Sequence, residues 1–179
     1  MKEGGFGGGN TQTGLDFERK VDFQDLLSAK AGYKIRPSAN KAGKEVLFED
    51  KIVARCFRKH DLYRFLDEKG VDWKSRISKK LLPDDALLVI NSQKLFIIEV
   101  KYQQVEGSVD EKLQTCDFKR KQYVNLVTGC DMQIEYVYVL NDWFQDPSYR
   151  DVLAYIESVG CHYKFSCLPL VFLGLPEAA

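Results

Sequence analysis

Residues 82–101 read LPDDALLVINSQKLFIIEVK, two short apolar runs (86–90 and 95–98) separated by Asn91-Ser92-Gln93-Lys94. Runs of this length, broken by polar turn-forming residues, are the pattern of two buried strands joined as a β-hairpin. A turn centred between Ser92 and Gln93 would set Asp84 opposite Lys101 and Ala86 opposite Glu99. Directly opposed Cβ atoms lie roughly 5 Å apart and diagonal ones roughly 7 to 8 Å. Period-two alternation sends Ile97, Glu99, Lys101 and Gln103 to one face and Phe96, Ile98 and Val100 to the other.

Two carboxylates and an ammonium therefore meet at the end of an apolar hairpin. Charges so close to a core cost several kcal/mol each unless they pair or hold a metal. Hard divalent cations take oxygen ligands, and Mg²⁺ uses one or two carboxylates with substrate phosphate and water. The residues alone admit either such a site or a structural salt bridge at the hairpin end.

Pro83-Asp84 followed by Glu99-x-Lys101 resembles the signature of the PD-(D/E)xK nuclease superfamily, here set on a predicted hairpin. The segments LPDDALLV, IEVKYQQVEGSVDEKLQT and FKRKQY look most like type II restriction endonucleases, whereas GLDFERKV followed by Gly32-Tyr33 is also similar to junction resolvases. The resemblance implies an α/β fold with a mixed central sheet flanked by helices, extending from about Thr13 to Phe172. It implies Asp84, Glu99 and Lys101 as catalytic residues, with Asp84 and Glu99 holding Mg²⁺, for which Mn²⁺ can substitute. Glu18, in an FE-like motif on the first helix, is either a further catalytic or site-supporting residue or a solvated carboxylate. Asp85 is the weaker ligand candidate because the next strand position points to the other face.

The 179 residues, 45% hydrophobic and 12% aromatic, suit one domain with one sizeable core. The glycine-rich residues 1–13 read as a flexible tail, and 14–179 as a single nuclease domain with a basic insertion at about 44–82. No apolar run reaches about 18 residues and no signal-peptide pattern opens the chain, so the expected location is cytoplasmic, away from membranes. Five cysteines without a C-x-x-C pair argue against a disulfide framework or a zinc knuckle.

Formal net charge is zero, but residues 53–82 carry nine Lys/Arg against four Asp/Glu. Such a stretch is either an ordinary solvated face or a phosphate-binding one. Arg55, Arg58, Lys79 and Lys80 are the candidates for contact with double-stranded DNA.

The pattern predicts helices over about 14–31, 60–69, 108–127 and 148–159, strands near 33–36, 46–55 and 134–140, and extended pieces at 163–166 and 170–172. Ser108 and Glu111 read as a capping box. On a wheel drawn through 108–127, Leu113, Cys116, Tyr123, Val124 and Val127 form the inward stripe. Arg120 falls within it, either snorkelling outward or reaching substrate phosphate as a further DNA-binding residue.

Three functions fit: a sequence-specific restriction endonuclease, a structure-specific or repair nuclease of the resolvase kind, and a DNA-binding or assembly module with an inactive site. So short a chain leaves little room for a separate recognition domain, which implies a homodimer or a partner subunit.

Overall fold

The structure, a computed structural model, describes residues 17, 21–105 and 109–178. Helix α1 (Phe23–Ser28) begins at Asp22, whose carboxylate accepts the N–H groups of Gln24 and Asp25. Three antiparallel strands follow: β1 (Tyr33–Pro37), β2 (Lys44–Phe48) and β3 (Lys51–Phe57). The β2–β3 turn is Glu49-Asp50, both with positive φ (47° and 62°), the backbone whose twist matches a two-residue hairpin. Gly43 sits at φ 74° where a Cβ would lie 2.3 Å from the Cys56 carbonyl oxygen, so no other residue fits that approach.

Helix α2 (His60–Glu68) leads through 69–84 to β4 (Asp85–Val89) and β5 (Lys94–Lys101). Helices α3 (Val109–Leu113) and α4 (Cys116–Leu126) then cross over to β6 (Gln133–Leu140), and α5 (Arg150–Ser158) crosses to β7 (His162–Phe165). A last turn of helix, α6 (Leu170–Leu173), follows. The seven strands lie in the sheet in chain order, with β1 to β5 antiparallel and β5, β6 and β7 parallel. This is the α/β fold with a mixed, helix-flanked sheet that the sequence implied.

Alternation along the central strands divides the core. Ala86, Leu88, Leu95, Ile97, Tyr136 and Tyr138 pack with residues of α2, α3, α4 and α5. Leu87, Val89, Phe96, Ile98, Val137 and Val139 pack with α1 and α6 on the opposite face. Strands covered on both faces read as unbroken apolar runs, the signal that 86–90 and 95–98 carried.

Three expectations are corrected. The hairpin pairs Asp85 with Ile98, two positions from the predicted register, because its loop spans residues 90–93 and the Gln93 side-chain amide closes it on the Ile90 carbonyl at 2.7 Å. A slip of two leaves every side chain on its predicted face, where a slip of one would have inverted them all. The helix predicted over 108–127 breaks at Gln114-Thr115, where the Thr115 hydroxyl donates to the Lys112 carbonyl at 2.7 Å and competes with helical bonding. Leu170 to Leu173 is helical, not extended, started by Pro169 and stopped by Gly174 in the left-handed region at φ 69°. Ser108 and the glycine-rich tail lie outside the described residues.

Candidate active site

Asp84 immediately precedes β4 and continues the Ala86–Leu88 side of the hairpin. Beyond Asp85 the ladder ends, and the Asp84 carboxylate accepts the Val100 N–H at 2.9 Å. Glu99, 7% exposed, continues the Leu95–Ile97 face and stands beside Tyr138 of β6 in the parallel register. Lys101, two residues on, places its Nζ 2.9 Å from Glu99 Oε2 and 3.7 Å from Asp84 Oδ2, and it also donates to the Val100 carbonyl. The three residues singled out by the hairpin thus share one site at its end.

A fourth charge joins them. Lys119, on α4, reaches the same Glu99 Oε2 at 3.3 Å. The sequence held a signal for it: Cys116, Lys119, Tyr123 and Leu126 lie at i, i+3, i+7 and i+10, one helical face. A single wheel over 108–127 missed it, because the break at Thr115 changes the phase. Cys116, Tyr123 and Leu126 are buried, whereas Val124, expected inward, is 41% exposed. The Tyr123 hydroxyl is buried with no hydrogen-bond partner among the described residues, and burial together with the nearby Glu99 and Asp84 charges pushes its pKa well up.

Asp84 lies at the mouth of the site with 46% of its side chain exposed. Partial desolvation and the adjacent Glu99 raise its pKa, and Lys101 and the Val100 N–H oppose that rise.

Asp85 points to the opposite face. Its carboxylate accepts from the Gln24 amide at 3.0 Å and from Arg58 at 3.4 Å, and Arg58 also grips Asp22. Burial pushes Asp85 up to about 7 despite these donors, since one guanidinium is shared between two carboxylates. Asp22 is therefore a helix cap and ion-pair partner; Glu18 lies outside the described residues.

The basic candidates divide. Arg55 donates to the Ala42 carbonyl and lies 4.8 Å from the Phe65 ring centre, so its head is folded inward. Lys80 sits over Tyr63 and Trp73, at 4.7 and 4.9 Å. Lys79 is exposed, and Arg58, although paired, keeps 41% of its side chain in solvent. Arg120 turns toward α5, its guanidinium 3.8 Å from where a Gly160 Cβ would lie, while the neighbouring Lys119 takes the place beside Glu99.

A family model described as the PD-(D/E)XK nuclease superfamily domain matches residues 36–126, which span β2 to α4 and hold all four charged residues of the site. The chain belongs to the PD-(D/E)XK nuclease superfamily. No curated protein and no solved structure matches it. Nucleases of this superfamily typically use divalent metals, and the donor set here fits one: the Asp84 and Glu99 carboxylates and the Val100 carbonyl are hard oxygen ligands beside a half-open mouth. Among the described residues no group of three or more His, Cys, Asp or Glu side chains gathers as a metal site, so water and substrate oxygens would have to complete the shell. Nor, among those residues, is any helix long and apolar enough to cross a membrane.

Proposed function

We propose that this superfamily member is a Mg²⁺-dependent endodeoxyribonuclease that cuts double-stranded DNA at specific sequences in the manner of a type II restriction enzyme. The observation that carries this reading is the convergence of Asp84, Glu99 and Lys101 at one end of the sheet, with Lys101 within 4 Å of both carboxylates. A divalent cation held there would polarise the scissile phosphate and lower the pKa of a bound water. Asp84 and Glu99 supply the anionic oxygens for it. Lys101, fixed by Glu99 and the Val100 carbonyl, orients the attacking water and offsets charge growing on the phosphate.

Restriction-type specificity is supported by the 59–82 segment beside the hairpin, where Lys79 is exposed and a backbone bond from Lys59 to Pro83 ties the segment to the signature. Elements added near a catalytic core are where base edges are read, and phosphate contacts alone carry no sequence information. Because cutting both strands of a duplex calls for two such sites, the reading includes a homodimer or a partner subunit, acting in the cytoplasm. Supercoiled plasmid incubated with Mg²⁺ or Mn²⁺ tests the reading. Discrete linear fragments whose sequenced ends share a motif are expected; cutting confined to branched DNA would give the resolvase reading instead, and no cleavage of any DNA would leave a binding module.

A further inference from the structure

We propose, resting on the nuclease reading, that Lys119 is a second substrate lysine of this site, one whose ammonium moves from Glu99 to a DNA phosphate when the site is loaded. The geometry first sets an imbalance. Glu99 places both Lys101 and Lys119 on one oxygen, Oε2, at 2.9 and 3.3 Å. A single nearly buried carboxylate does not need two ammoniums, and Lys101 already serves it from two positions along the same strand. Lys119 comes instead from a different element, α4, across the site from the hairpin. Its side chain is 28% exposed against 17% for Lys101, so it is the outer of the two.

Charge accounting then gives the second ammonium a purpose. Asp84, Glu99, Lys101 and Lys119 together are neutral. A divalent cation on the carboxylates leaves two positive charges in excess, matching the two negative charges of a phosphodiester attacked by hydroxide, where Lys101 alone would leave one. A cation and Lys119 would also compete for Glu99, so loading the site releases Lys119 at the moment a phosphate arrives. The buried hydroxyl of Tyr123, without a hydrogen-bond partner among the described residues and one helical turn from Lys119 on the same face, leaves a donor beside the site.

The test compares the parent with Lys119→Ala and Lys119→Arg in four measurements: melting temperature, the rise in melting temperature with Ca²⁺, binding of a short fluorescein-labelled DNA duplex in saturating Ca²⁺ across a salt series, and plasmid cleavage in Mg²⁺. For Lys119→Ala we expect a melting temperature within a few degrees of the parent and a Ca²⁺ response at lower Ca²⁺ concentration. The log–log salt slope of DNA binding should flatten by about one unit, and cleavage at saturating DNA should fall about 100-fold. Lys119→Arg should restore the slope and most of the rate. A Lys119→Ala protein that melts lower, yet binds with the parent's salt slope and cuts at the parent's rate, would make Lys119 only a structural partner of Glu99. If the parent binds DNA but does not cut it, the nuclease reading fails, and an unchanged slope in Lys119→Ala would then sink this inference separately. A parent that neither binds nor cuts DNA overturns both.

Discussion

Asp84 and Glu99 respond differently to removal of charge. Glu99 is the shared counter-charge of Lys101 and Lys119, so Glu99→Gln is expected to abolish cleavage and also to destabilise the fold, by about 1 to 3 kcal/mol for half-buried ammoniums that keep an oxygen acceptor but lose its negative charge. Urea denaturation of the metal-free variant reads the second effect. Lys101→Ala leaves both carboxylates in place and is expected to lower the cleavage rate by roughly two to four powers of ten, which single-turnover kinetics would read. Asp85 predicts a pH effect instead. Its pKa, about 7 in the folded protein against an ordinary 3.8, means the native state keeps a proton that the unfolded chain has released between those values. Stability therefore falls as pH rises through that window and levels off above it. The groups facing Asp85 are Arg58, Asp22, the Gln24 amide and the Cys56 thiol, itself pushed up to about 12 by burial. Asp85→Asn keeps an acceptor for Gln24 and should flatten the slope between roughly pH 4 and 7 in equilibrium unfolding. An unchanged slope would assign the titration to another group.

Among the elements, the β4–β5 hairpin was the most legible, because apolar runs bounded by a polar turn fix strand faces even when the register is two residues out. Lys119 was not legible in the same way. Its placement depends on where α4 begins, and that is decided by a local bond from Thr115 to Lys112 that no periodicity announces. The basic segment shows another boundary. Charge counting marks residues 53–82 as one patch, but packing draws Arg55 under Phe65 and stacks Lys80 on two rings. Arg55→Ala is thus expected to cost about 1 to 3 kcal/mol of stability, from the lost bond to the Ala42 carbonyl and the lost ring contact, with DNA affinity nearly unchanged. Lys79→Ala should show the reverse, a parent-like melt and a salt slope flatter by about one unit in fluorescence anisotropy. Equal effects of the two on DNA binding would return the segment to a single charged face.

At the scale of the whole molecule, the sheet separates two jobs. One face carries Asp84, Glu99 and Lys101 toward α4; the other ties α1 to the hairpin through Gln24, Asp85 and Arg58. The family signature straddles this division, since Asp84 and Asp85 are sequence neighbours that serve opposite faces. Asp84 isolates the proposed catalytic face most cleanly. Asp84→Asn retains an oxygen to accept the Val100 N–H and sits at the exposed mouth of the site, so the fold has no reason to change. The deciding measurement is the rate at which Asp84→Asn converts supercoiled plasmid in Mg²⁺, beside a parent protein of matching melting temperature. A loss of about a thousandfold or more is predicted, since the cation's anionic anchor is gone while the fold remains. Conversion at the parent rate would contradict the assignment of this hairpin end as the active site.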